Sequence, residues 1–105
     1  MNYKIIVYQG QNSKLSFQEW LEKLDTQTRQ RIRMKLERLS LGNFNNCKSI
    51  DTGLFELKVD FGPGYRIYFS LLNSTEILIL FAGTKRTQQR DIEKAKKFLK
   101  DFKTR

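Results

Sequence analysis

Residues 55–69 read FELKVDFGPGYRIYF, two half-apolar runs on either side of a Gly-Pro-Gly turn. Alternation with period two suits a strand with one face buried and the other polar, so this stretch demands an antiparallel hairpin. Phe55, Leu57, Val59 and Phe61 must share a face with Tyr65, Ile67, Phe69 and Leu71. Pairing 61 with 65 achieves this, whereas a one-residue slip would set polar side chains against apolar ones along the whole hairpin. In that register Asp60 lies opposite Arg66, Lys58 opposite Tyr68 and Glu56 opposite Ser70, all on the polar face. One reading is local: an Asp60–Arg66 cross-strand pair worth roughly 0.2–1 kcal/mol and a Lys58–Tyr68 cation–π contact. The other is a pocket in which two cations, a carboxylate and a ring neutralise a phosphate and stack a base.

The flanking sequence supplies the other elements. YKIIVY at 3–8 is β-branched and aromatic and reads as a first strand. A helix starts at Ser16, with Phe17, Trp20, Leu21 and Leu24 on one face. A second helix, capped by Asp25 or Thr26, buries Ile32, Leu36 and Leu39 and stops at Gly42. NFNNCKSIDTG at 43–53 reads as a loop. Strands follow at about 54–61, 65–72 and 76–83. The last of these, EILILFAG, is apolar on both faces and is expected to be central. A final helix from near Thr87 carries Ile92, Ala95, Leu99 and Phe102 on its apolar stripe. The expected order is β-α-α-β-β-β-α in one α+β domain, 1–105. Its antiparallel-rich sheet packs against an N-terminal helical hairpin and a C-terminal helix.

Composition narrows the chemistry. The formal net charge of +9 favours anionic partners. There is no histidine, which removes the usual Ser-His and Cys-His pairs and the common zinc sites. The single cysteine, Cys47, cannot form an internal disulfide and suggests a reducing compartment. No metal-binding spacing of carboxylates is evident, and no metal or cofactor is expected. MNYKIIVYQG has too short an apolar run for a signal peptide and nothing is long enough to span a membrane, so the expected address is cytoplasmic.

Cations cluster in two further places. The second helix carries Arg29, Arg31, Arg33, Lys35 and Arg38 against Glu37 alone, either a solvated face or a contact for phosphates or a protein partner. Lys85 and Arg86 lie at the exit of the last strand, and Arg90 follows in the first turn of the final helix. A helix start suits a phosphate, while a cation there opposes the dipole and costs a few tenths of a kcal/mol. Stability does not ask for these three cations together, which favours an anion-binding role.

GLFELKVDFGPGYRIYF followed by ILILFAGTKRTQQRDIEKAKKFL resembles the RelE/ParE superfamily of bacterial toxins, most closely the HigB-like "addiction module killer" subgroup. The resemblance covers almost the whole chain. It implies the toxin of a type II toxin–antitoxin pair, with a cognate helix-turn-helix antitoxin as partner. It further implies a ribosome-dependent mRNA endoribonuclease that works without a metal, by 2′-hydroxyl attack on the adjacent phosphate. By motif position, Lys58, Arg66 and Arg86, with Lys85 beside it, match the family's basic working residues. RelE carries a tyrosine near the start of the last helix and other relatives a histidine, whereas QQRDIEK here has neither. Lys58 or Glu56 is then the candidate base, and an unperturbed lysine, with a pKa near 10.4, needs cationic neighbours for that role. Arg66 and Arg86 would stabilise transition-state charge. Arg90, Tyr68, Arg29 and Arg33 remain as further candidates for RNA contact. ParE-like relatives on this fold inhibit DNA gyrase instead, and a non-catalytic nucleic-acid-binding domain is the third reading.

Overall fold

The hairpin forms with the expected faces and a different register. The computed structural model describes residues 2–10 and 16–105. β3 (Leu54–Val59) pairs with β4 (Tyr65–Leu71) so that Val59 faces Tyr65, Lys58 faces Arg66 and Glu56 faces Tyr68. The pairing is two residues away from the 61-with-65 register, so the apolar sets still share a face. The reason lies in the turn. Phe61 N–H donates to the Val59 carbonyl at 3.1 Å and Gly64 N–H to the Phe61 carbonyl at 3.0 Å. These bonds draw Asp60 and Phe61 out of the ladder, with Gly62 and Gly64 at φ 56° and 82°. Asp60 therefore reaches Lys58, at 3.6 Å, rather than lying opposite Arg66.

Five strands make one sheet in the order β1-β5-β4-β3-β2. β1 (Lys4–Val7) runs parallel to β5 (Glu76–Thr84), and the other three pairs are antiparallel. β2 (Cys47–Asp51) falls within the stretch read as a loop, so the order is β-α-α-β-β-β-β-α. Its Lys48, Ser49 and Asp51 are exposed, and an edge strand can be polar on both faces because only one side of its ladder is paired.

α1 (Ser16–Glu22) and α2 (Thr26–Ser40) cover one face of the sheet. Asp25 caps α2, accepting from the Thr28 hydroxyl at 2.6 Å and amide at 3.3 Å. These bonds hold its carboxyl below the usual range, the hydroxyl contributing most. α2 ends in a Schellman motif: Asn43 N–H bonds the Arg38 carbonyl and Gly42 N–H the Leu39 carbonyl, with Gly42 at φ 88°. Phe17, Ile32, Leu39, Leu57, Ile67 and Ile79 form the core on this side. α3 (Gln88–Lys103) follows a single 3-10 turn, Lys85–Thr87, and covers the other face. Tyr68, Leu78, Leu80, Ala95 and Leu99 are buried there. The polar face expected of the hairpin thus lies partly under α3, which buries Ser70 and Tyr68. No helix among the described residues is long and apolar enough to cross a membrane.

A bulge in β5 sets how α3 sits. Phe81 pairs with Tyr68 and Ile79 with Phe69, leaving Leu80 as the extra residue. Leu80 and Phe81 both pack toward α3, and the alternation then resumes with Ala82 on the helical-hairpin side. Gly83 consequently faces α3, against the buried Asp91 carboxylate. A Cβ on Gly83 would stand 1.8 Å from Asp91 Oδ2. Gly83→Ala should therefore destabilise by about 1–3 kcal/mol through overpacking. In a denaturation cycle with Asp91→Ala, the pair should couple by about 1 kcal/mol or more; additive losses would show that this contact does not set the spacing of α3.

Candidate functional site

Three strands and a helix start bring the polar residues together. Across the β2–β3–β4 ladder Lys48 faces Glu56, and in the next row Lys58 faces Arg66. All four lie on the α3 side of the sheet, because strand positions two apart share a face. Gln88, the first residue of α3, closes the rim. The result is an open pocket of about 400 Å³, whose wall also includes Asn46 and Cys47.

Glu56 is the hub. Its Oε2 accepts from Gln88 Nε2 at 2.7 Å, while Oε1 lies 3.7 Å from Arg66 Nε and 3.8 Å from Lys48 Nζ. Both Glu56 and Arg66 are buried. One guanidinium nitrogen of Arg66 donates to the Tyr65 carbonyl at 3.2 Å. Its Nε has no hydrogen-bond partner, since 3.7 Å is a Coulombic contact and too long for a hydrogen bond. Three cations thus face one carboxylate in the pocket wall. Among the described residues Asp60 pairs with Lys58 and is largely exposed, so it offsets little of that charge. A guanidinium in the pocket wall beside two lysines has the charge to hold a phosphate-like anion.

Neither Cys47 nor Tyr68 adds an ionised group. Burial pushes the Cys47 thiol up to about 11, which keeps it protonated and unreactive at neutral pH. The Tyr68 phenol is raised above its ordinary value, first by burial and then by the Glu56 and Asp91 carboxylates. Among the described residues no group of three or more His, Cys, Asp or Glu converges as a metal site.

Of the residues singled out from the sequence, the structure brings Glu56, Lys58 and Arg66 into one pocket. Tyr68 shares the row of Glu56 but is 0% exposed, so its ring is no platform for a base. Lys85 and Arg86 are exposed on the 3-10 turn. Gly64 separates Lys85 from the pocket: a Cβ there would come within 3.6 Å of both Arg66 Nη1 and Lys85 Cβ. Arg90 points outward, 3.9 Å from Asp91. Arg29 is tied down, donating to the Leu24 carbonyl at 2.8 Å and the Glu22 carbonyl at 3.3 Å, which satisfies the end of α1. Arg33, one turn further along α2, shares the Arg29 face rather than joining the pocket. Lys48 and Gln88 were missed by the sequence reading. Lys48 sat in an apparent loop, and Gln88 is one of two adjacent glutamines with no local sign of which faces the sheet.

Glu56→Ala would leave Arg66 buried without its counter-charge, and should cost about 3 kcal/mol in a denaturant titration. Inorganic phosphate should raise the thermal midpoint of that variant more than that of the unsubstituted protein. Equal shifts would mean that the pocket does not take up an anion.

Comparison with known proteins adds three findings. An uncharacterized protein of Haemophilus influenzae is 41% identical over 83 residues, covering 78% of this chain and 84% of that protein. The free-state structure of an Escherichia coli RelE toxin mutant superposes with a TM-score of 0.62. It covers 89% of this chain and 97% of that one at 13% identity, a likeness of fold. Residues 19–100, which include every residue of the pocket wall, match the family described as Phage derived protein Gp49-like. The chain belongs to this Gp49-like family and has the α+β fold of RelE.

Proposed function

We propose that this protein is the toxin of a type II toxin–antitoxin pair, HigB-like in its motifs, and that it cleaves mRNA on the ribosome. The observation that carries the reading is the Arg66 guanidinium, held in the pocket wall by Glu56 directly across the strand pair from Lys58. A phosphodiester in this pocket would meet Arg66, Lys58 and Lys48 on its non-bridging oxygens. Those oxygens gain negative charge as the 2′-hydroxyl attacks phosphorus, so fixed cations stabilise the transition state more than the ground state. The 2′-hydroxyl gives up its proton to solvent water as its bond to phosphorus forms, and the bond to the 5′-oxygen breaks, leaving a 2′,3′-cyclic phosphate. Lys58, with its side chain half-exposed, is the amine placed to hand a proton to the departing oxygen.

Glu56 has a different role in this proposal from the base suggested by sequence. Both of its oxygens are engaged, by Gln88 on one side and by Arg66 and Lys48 on the other. It positions the cations. Lys85 and Arg86 extend the positive surface beyond Gly64, where the next phosphate along the strand would lie. The fold and family membership also support a protein antitoxin as partner, with a helix-turn-helix protein expected from the neighbouring reading frame.

Induction of the protein followed by mapping of mRNA 5′ ends tests the reading. Codon-phased cuts in translated regions are expected. Arg66→Ala and Lys58→Ala should each reduce cutting by about 100-fold or more, with secondary structure preserved. Intact mRNA accompanied by a DNA-damage response would instead indicate gyrase as the target. Undiminished cutting in both variants would remove the pocket from the mechanism.

A further inference from the structure

A second cavity, about 490 Å³, runs between α2 and the β3–β4 turn, with Arg31, Met34, Lys35 and Arg38 in its wall. Past Lys35 and Arg38, which border both spaces, opens a polar cleft of about 110 Å³. Asn43, Asn45 and Asn46 close it, over the buried Leu57. Stability does not explain the cations here. Lys35 is half-buried, with Arg31 four residues before it and Arg38 three after, so the three share one side of α2. Like charges at these spacings destabilise a helix. Glu37, the one acid of α2, stands four residues after Arg33 and serves that neighbouring face. Among the described residues no carboxylate pairs with Lys35 or Arg38.

The loop opposite them is held in place and supplies donors. Asn43 N–H bonds the Arg38 carbonyl at 3.0 Å, and the Asn43 side-chain oxygen accepts from the Asn45 N–H at 3.0 Å. The Asn46 carbonyl accepts from the Lys58 N–H at 2.9 Å. Cations and amides around so small a space suit a tetrahedral anion. At about 30 Å³ per water the cleft holds about four waters, as many as a phosphate has oxygens. Asn46 also belongs to the wall of the Arg66 pocket. Asn46, Lys58 and Arg66 form one row across the sheet, and Asn46 stands at its outer end, just before the edge strand β2. No further strand blocks the way from one space to the other. We propose that the cleft is a second phosphate subsite: an RNA strand with one phosphate at Arg66 turns round the sheet edge past Asn46 and seats another between Lys35 and Arg38. Lys85 and Arg86, beyond Gly64, extend the same path in the other direction. The strand rests on the nuclease reading, whereas the anion site rests on the cleft alone.

Fluorescence anisotropy on the full chain tests it, with labelled 2′-O-methyl oligoribonucleotides of about two to about eight nucleotides. These carry phosphates but no attacking hydroxyl. Affinity should step up by about tenfold or more at the length that reaches the cleft. The double variant Lys35→Gln, Arg38→Gln should lose that step. It should also flatten the log–log salt dependence by about 0.7 per phosphate contact, without a fall in the thermal midpoint, since it relieves like-charge repulsion. The side-chain amide NMR signals of Asn43 and Asn45, which border the cleft and not the Arg66 pocket, should move with the longer strands and with inorganic phosphate. A step that the double variant keeps would overturn the subsite. So would amide shifts as large with acetate as with phosphate, which mark a general anion surface. If phosphate moves the amides while the length series stays flat, the ligand is a free phosphate and the strand path falls. Arg66→Ala should weaken binding at every length and reads the pocket separately. A flat series that still depends on Arg66 would strike the subsite and leave the nuclease reading standing. Phosphate-specific amide shifts with intact mRNA in cells would keep the anion site and remove the nuclease reading.

Discussion

The Glu56 carboxylate ties together β2, β3, β4 and α3 through Lys48, its own strand, Arg66 and Gln88. A buried charge is tolerated only with partners, because desolvation of either ion alone costs several kcal/mol. Glu56 and Arg66 compensate one another, and Gln88 satisfies the oxygen that Arg66 does not reach. The start of α3 is thereby registered against the sheet, and Arg66 is held in a fixed orientation beneath a pocket open to solvent. Preorganisation of this kind lets a cation act on developing charge without paying to reorient.

The bulge at Leu80 is the second constraint on which the site depends. By resetting the alternation of β5 it turns Gly83, rather than Ala82, toward α3. Gly83 sits directly across from Arg66 on β4. With no side chain there, Asp91 descends onto the sheet and accepts from the Thr87 hydroxyl. α3 can then approach closely enough for Gln88 to reach Glu56. A side chain at 83 would lift the start of the helix and open the pocket wall. The cost of the arrangement is visible in Tyr68, whose hydroxyl is buried beneath the helix without a hydrogen-bond partner.

The two cavities divide the positive charge of the chain. Lys48, Lys58 and Arg66 surround a buried carboxylate, and their geometry is fixed by the ladder. Arg31, Lys35 and Arg38 line the α2 side of the other cavity with no ion pair among the described residues, and their floor is apolar. The first arrangement concentrates its cations on one buried carboxylate, and the second spreads them along an apolar floor. The net charge alone could not separate them, since it does not record where each cation stands.

What the sequence determined by itself was parity and type. Period two placed Glu56, Lys58 and Arg66 on one face of the hairpin; the 3.6-residue pattern placed Ile32, Leu36 and Leu39 against the core; and Asp25 and Gly42 marked the ends of α2. These follow from local backbone geometry, which repeats with every residue. Partner identity was decided only by tertiary structure. The two-residue register shift preserves every face, so hydrophobic patterning cannot detect it, yet it replaces Asp60 with Glu56 as the counter-ion of Arg66. β2 was illegible because an edge strand exposed on both faces has no alternation to read. Tyr68 looked accessible because nothing within its strand indicates that α3, some 20 residues later, will cover it. Local chemistry specifies which way a side chain faces; only the packing of distant elements specifies what it meets there.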